Sequence, residues 1–241
     1  MVMVSCSLWS ADLGSLSDAI EKVNDLADAF HFDVMDGRFV QNFLFGADTI
    51  RTLREKTNKP FEVHLMVEKP ETYLEMFAEA GADYLIVHPE ACQDLGATLK
   101  AIKDLGVKPG VALNPNMPIK VIEPFLSSLE LVLVLCVVPG FRNQPFIPDT
   151  LDKIRELKKL LQATESSVII EADGAIRDHT VPPLIEAGTD IVVGGSIVFR
   201  QPDPHKSLTR LHDLRLPENN HQIFSEKSTI ESYNQELKLC K

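Results

Sequence analysis

Two stretches decide the fold: AEAGADYLIVHPE at Ala78–Glu90 and IEAGTDIVVGGS at Ile185–Ser196. In each, a helical pattern ends at a glycine and an apolar β-rich run starts three residues later. Glycine takes the left-handed conformation that closes a helix at no steric cost, so each stretch reads as a helix handing over to a strand. Working outward, the same alternation runs along the chain. Strands are expected at Met3–Ser7, Phe30–Val34, Phe61–Met66, Tyr84–Val87, Lys108–Leu113, Leu131–Val137, Val168–Ala172 and Ile191–Val193. Between them, Leu16–Ala27, Ala47–Lys56, Glu71–Ala80, Leu95–Leu105, Ile119–Leu126, Leu151–Leu161 and Val181–Ala187 carry apolar residues at three- and four-residue spacing, the period of a helix with one buried face. Strands alternating with helices imply parallel pairing, and several of these strands are Val/Ile/Leu-rich throughout, as strands covered on both faces are. An open doubly wound sheet is the alternative, but no Gly-x-Gly-x-x-Gly follows the first strand. The repeated unit predicts an α/β protein with a (β/α)8 TIM barrel.

At 241 residues the chain is long enough to bury a large core without disulfides or structural metals. Residues 1–216 read as a single domain, and 217–241 as a C-terminal extension, helical or mobile, with Ile223, Phe224, Ile230, Tyr233 and Leu237 scattered in a polar background. With 24 Lys+Arg against 35 Asp+Glu the formal charge is −11, which leaves no strong basic patch for a nucleic-acid or anionic-membrane partner. The longest apolar run, Leu131–Val138, is too short to cross a bilayer, and the N-terminus lacks the basic region of a secretory signal. Cys6, Cys92, Cys136 and Cys240 are dispersed without a Cys-x-x-Cys pair and read as reduced, unreactive thiols. These features point to a cytoplasmic protein acting on a small molecule, and a homo-oligomer is expected.

A barrel of this kind places its chemistry at the C-terminal ends of its strands. Those ends carry Ser7, His31, Asp33, His64, His88, Asn114, Asp173 and Gly194-Gly195-Ser196. Residues two apart on a strand face the same way, so His31 and Asp33 point together into the barrel mouth. Alone, each has an ordinary structural reading: a hydrogen-bonded histidine, or an aspartate opening an Asp-Gly turn. Joined by His64 and Asp173, they give two imidazoles and two carboxylates, a donor set suited to Zn, Fe(II), Mn or Co. Glu171 shares a face with Asp173 and either holds one of these groups by a hydrogen bond or forms a plain salt bridge. The loops Asp173-Gly174-Ala175 and Gly194-Gly195-Ser196 can offer backbone N–H groups to a phosphate, or simply turn tightly. Val138–Phe146, opened by Pro139-Gly140, reads as a lid or as a plain connector. His88, Asn114 and the methionines Met35, Met66 and Met117 are given structural readings.

At these residues a family resemblance appears. HFDVMDGRFVQN (31–42), FEVHLMVEKPE (61–71), VVPGFRNQPFIPDTLDKI (137–154), EADG (171–174) and AGTDIVVGGSIVF (187–199) resemble the successive signatures of the ribulose-phosphate 3-epimerase family, and the resemblance runs from Val4 to Leu216. It implies one divalent metal ion per subunit on His31, Asp33, His64 and Asp173, with Asp33 and Asp173 also the acid/base pair. It further implies sugar-phosphate contacts at Ser7, His64, Gly140, Phe141, Arg142, Asn143, Gly174, Ala175, Gly195 and Ser196. The implied reaction removes the carbon 3 proton of a ketose phosphate and returns one on the opposite face: D-ribulose 5-phosphate to D-xylulose 5-phosphate, with allulose 6-phosphate as the alternative substrate. A catalytically silent barrel that binds a sugar phosphate or a partner protein is the rival from another class. A decarboxylase/aldolase-like barrel, which uses a Lys among carboxylates on the third strand, is disfavoured because Phe61–Val67 has none.

The chain departs from the family pattern at several positions. Arg142-Asn143 stand where the lid of the family has two glycines, Arg38 and Gln41 replace a His and a Pro, Ala175 replaces a Gly, and Leu135 replaces a Met. These changes predict either loss of a left-handed backbone conformation in the lid or a direct contact from Arg142 to the phosphate.

Overall fold

Strand pairing sets the architecture, seen in a computed structural model that describes residues 2–214. The expectations placed on 217–241 and Cys240 lie outside the described residues. In chain order the strands are β1 (Met3–Ser7), β2 (Ala29–Asp36), β3 (Phe43–Leu44), β4 (Phe61–Met66), β5 (Tyr84–Val87), β6 (Lys108–Leu113), β7 (Leu131–Leu135), β8 (Ile169–Asp173) and β9 (Ile191–Gly194). Only β3 pairs antiparallel, as a short hairpin on β2; the other eight run parallel. β1 pairs with β2 on one side and with β9 on the other, Met3 opposite Ile191, so the sheet closes into the expected (β/α)8 barrel. No helix of the described residues is long and apolar enough to cross a membrane.

Alternation along each strand divides the interior. Val4, Cys6, Phe30, Phe32, Val63, Leu65, Val132, Val134, Ile170 and Val192 point outward and pack with helical residues such as Ile50, Leu99, Ile154 and Leu184 in one continuous core. The opposite set points into the barrel, where Tyr84, Ile86, Ala112, Leu131, Leu133, Leu135 and Val193 form a separate apolar cluster.

The helices are α1 (Leu16–Glu21), α2 (Ala47–Arg54), α3 (Leu74–Glu79), α4 (Leu95–Asp104), α5 (Thr150–Ala163), α6 (Val181–Ala187), α7 (Ser196–Phe199) and α8 (Pro204–Asp213). Gly81 and Gly188, the two glycines that opened the reading, have φ of 101° and 110°, the left-handed closure expected of them. The expected helix Ile119–Leu126 is instead two 3-10 turns, Ile119–Val121 and Glu123–Ser128, because Pro124 supplies no N–H to continue an α-helix. The expected helix Leu16–Ala27 stops at Glu21 and continues as turns. Among the elements outside the sequence reading are β3 and α8, the latter starting with Asp203 accepting from the Lys206 N–H and Pro204 in the first turn.

Candidate active site

Strand parity brings the predicted donors together. Asp33 lies opposite His64 in the β2–β4 register, Ser7 opposite His31 in β1–β2, and Leu135 opposite Asp173 in β7–β8. One donor atom from each of His31, Asp33, His64 and Asp173 lies within 4.8 Å of the others. Asp33 Oδ1 is 3.5 Å from His31 Nε2 and 3.2 Å from His64 Nδ1, while Ser7 Oγ donates to Asp33 Oδ2 at 3.3 Å. The other nitrogen of each ring points away from this centre. His31 Nδ1 lies 3.6 Å from Glu62 Oε2, and His64 Nε2 is 2.9 Å from His88 Nε2. His88 is itself packed between the His64 and Phe39 rings, with Nδ1 3.7 Å from Glu90.

This arrangement fits a metal. Metal-bound imidazoles characteristically use one nitrogen for the ion and anchor the other on a carboxylate or another acceptor. Both nitrogens of fully buried His31 lack a hydrogen-bond partner among the described residues, a costly state that a ligand at the Asp33 side would relieve at Nε2.

The two aspartates differ sharply in proton affinity. Burial would raise Asp33, but the adjoining His31 and His64 hold it below the ordinary carboxylate range. Asp173 is pushed up to about 7 by burial and by the negative charge of Asp33. Burial lowers His64 to about 4, whereas at His31 the pull of Asp33, Glu62 and Glu171 outweighs burial and raises it well above its usual value. Beneath the site, Glu62 accepts from Ser5 Oγ, and Glu171 has neither carboxylate oxygen hydrogen-bonded. Burial and the negative Glu62 raise Glu171 well above the usual range. Glu171 and Glu62 each place an oxygen within 4.8 Å of His31, so Glu171 does share the inward face, but among the described residues it makes neither the hydrogen bond nor the salt bridge expected of it. Burial pushes the thiols of Cys92 and Cys136 up to about 12, in line with inert cysteines.

Above this centre opens a cavity lined by Ser7, Asp33, Phe141, Arg142, Asn143, Asp173, Gly174, Ala175, Gly195 and Ser196. Of the residues expected to contact substrate, His64 and Gly140 do not line this cavity: His64, like His31, is fully buried, and the Gly140 carbonyl accepts from Asn42 Nδ2 at 3.0 Å. The small residues are needed here. A Cβ on Gly174 would come within 2.5 Å of Val137, and one on Gly195 within 2.7 Å of Ser10 Oγ. The feared loss of left-handed backbone does not occur: Asn143 has φ 59° and Ala175 φ 51°. Asparagine tolerates that region, while alanine holds it at some strain.

Polar and aromatic residues that line the same cavity and were not expected there include Trp9, Ser10, Arg177 and Arg200. Their signal was faint, namely that Arg177 and Arg200 follow the two candidate phosphate loops by a few residues. Arg142 donates to the Trp9 carbonyl, with its guanidinium carbon 5.1 Å from the Trp9 ring centre, tying the Val138–Phe146 loop to the loop after β1.

Residues 3–199 match the model of the ribulose-phosphate 3 epimerase family. The chain is 43% identical over 213 residues to the ribulose-phosphate 3-epimerase of Bacillus subtilis (strain 168), covering 88% of this chain and 98% of the other. It is 39% identical over 220 residues to that of Synechocystis sp., covering 90% and 96%. Among solved structures, KGPDC from Streptococcus mutans shares the fold alone, with a TM-score of 0.66 at 15% identity over 88% of this chain and 96% of that one. Sequence likeness over nearly its whole described length therefore places the chain in the ribulose-phosphate 3-epimerase family, among the isomerases.

Proposed function

We propose that the protein interconverts ketose phosphates epimeric at carbon 3, with D-ribulose 5-phosphate and D-xylulose 5-phosphate as the pair. The observation that carries this reading is geometric: the carboxylates of Asp33 and Asp173 converge with His31 and His64, one donor atom of each within 4.8 Å of the others, beneath a cavity that both aspartates line. Without metal, the imidazoles hold Asp33 low while burial and Asp33 raise Asp173. Inversion at a carbon needs one group to take a proton from one face and another to return one to the opposite face. Environments that drive two carboxyl groups apart in proton affinity assign these roles. Ionised Asp33 is the base and protonated Asp173 the acid in one direction; the roles exchange in the other. Ser7, donating to Asp33, fixes the orientation of that carboxylate. A divalent ion (Zn, Fe(II), Mn or Co) held by His31, Asp33, His64 and Asp173 would supply stabilisation of the negative charge that develops on the substrate oxygens. His88 holds the outer nitrogen of His64, and Glu62 lies 3.6 Å from that of His31. The phosphate end lies against Gly174, Ala175, Gly195 and Ser196, covered by Gly140–Asn143.

The test is proton exchange followed by NMR in deuterated water. Metal-loaded protein should wash out the carbon 3 proton of D-ribulose 5-phosphate, and Asp33→Asn and Asp173→Asn should stop it. Exchange only with allulose 6-phosphate would move the substrate to a six-carbon ketose. No exchange with either would leave a barrel that binds sugar phosphates without turning them over.

A further inference from the structure

The cavity above the carboxylates is markedly cationic on one side. Arg142 from the lid, Arg177 after β8 and Arg200 at the end of α7 all line it. Among the described residues none of the three reaches a carboxylate at ion-pair distance, whereas nearby Arg210, outside this cavity, is paired with Asp178 at 3.0 Å. A chain of net charge −11 has carboxylates to spare, so three unpaired guanidiniums around one cavity stand out. Grouping like charges costs free energy unless an anion arrives between them. Arg142 shows this directly. One end is fixed by donation to the Trp9 carbonyl, and its Nε is buried with no partner. Burial and the positive charge of Arg200 both lower its proton affinity.

We propose that Arg142 and Arg200, supported by Arg177, form a side-chain clamp for the dianionic phosphate monoester of the substrate and select phosphorylated over unphosphorylated ketoses. The proposal rests on reading this cavity as the sugar-phosphate site. Guanidinium groups bind phosphate oxygens through paired, charge-assisted hydrogen bonds, stronger than those from neutral backbone N–H groups. Arg142 is carried by the lid and Arg200 by the far rim, so the dianion draws the two sides together. The Arg142-Asn143 substitution thus adds a charge contact while Asn143 keeps the left-handed backbone.

The experiment measures two quantities on the metal-loaded protein: binding of inorganic phosphate by calorimetry, and kcat and KM for D-ribulose 5-phosphate and D-ribulose. R142Q and R200Q should each weaken phosphate binding and raise the sugar-phosphate KM by about ten- to hundredfold, the loss of a charged hydrogen bond. The preference for the phosphorylated ketose should fall by a similar factor, and R142K should recover part of it. R210Q serves as a control for removing a cation outside the cavity and should leave KM within about twofold, as surface ion pairs contribute little. Thermal unfolding of each variant checks that it is folded. Normal turnover by the wild type with unchanged KM and phosphate affinity in R142Q and R200Q would overturn the clamp and leave the epimerase reading standing. Phosphate binding that is lost in R142Q and R200Q, in a wild type that exchanges no carbon 3 proton, would uphold the clamp and overturn the epimerase reading.

Discussion

The two halves of the barrel interior share one backbone and differ in what they point inward. From β8 round through β1 to β4 the inward residues include Glu171, Asp173, Ser5, Ser7, His31, Asp33, Glu62 and His64, nearly all buried. From β5 to β7 they are Tyr84, Ile86, Ala112, Leu131, Leu133 and Leu135. The apolar half stabilises the fold by removing surface from water, at roughly 25 cal/mol per Å². The polar half does the reverse, since His31 and Glu171 keep buried atoms without partners. One side of the barrel therefore carries the cost that the other offsets, and that cost is what leaves reactive groups undersatisfied and ready for ligand.

Substitutions can break this comparison, beginning with the largest effect. Asp33→Asn or Asp173→Asn should lower the exchange rate by on the order of 10²–10⁴ while leaving the circular dichroism spectrum intact; near-normal rates in both would refute the two-carboxylate scheme. On the apolar side, Leu133→Ala should destabilise by about 2–5 kcal/mol in denaturant unfolding while the folded fraction stays active. A loss of rate per folded molecule there would show that the halves are not separable. His88→Phe removes the partner of His64 Nε2 and should weaken metal binding about ten- to hundredfold against a competing chelator. Unchanged affinity would return His88 to a packing role.

The smallest effect is in pH dependence. Without metal, Asp173 titrates near 7 in the fold against an ordinary 3.8, so the native state binds more protons across that window. Its contribution to stability is full below about pH 4 and is lost as pH rises toward 7. Asp33 has the opposite sign: held low in the fold, it contributes above about pH 4 and that contribution is lost as pH falls. The unfolding midpoint of metal-free wild type relative to Asp173→Asn should therefore fall between pH 4 and 7. The offset caused by Leu133→Ala should stay flat over the same range. A flat difference for Asp173→Asn as well would sink the assignment of the raised carboxyl.

Legibility in the sequence followed the same division. Strands of unbroken Val, Ile and Leu announce themselves, and His31, Asp33, His64 and Asp173 stood out because ionisable groups are costly at the ends of apolar strands. Strand parity then aligned His31 with Asp33 and Asp173 with Glu171. His88 was read as structural because its partner is on a neighbouring strand, where His64 lies opposite Ile86, and single-strand spacing does not give that register. Arg177 and Arg200 follow turns, where an arginine ordinarily meets only water. The α8 helix was passed over although Asp203-Pro204 is a good start signal, because its apolar face is carried by few residues, Leu208 and Leu211 among them.

Closure of the barrel by β1 against β9 has a consequence for synthesis. The cavity above the carboxylates straddles that seam: Ser7, Trp9 and Ser10 come from one side, Gly195, Ser196 and Arg200 from the other. A nascent chain that has emerged only through α6 already carries all four metal-ligand candidates, but β1 still lacks its second neighbour and half of the cavity does not exist. Joining segments this far apart in sequence is the slow, entropically costly step of such a topology. If this cavity is the sugar-phosphate site proposed above, it is complete only when translation of the barrel is complete, and shorter products of synthesis or proteolysis carry the metal-ligand candidates with only half of the cavity lining.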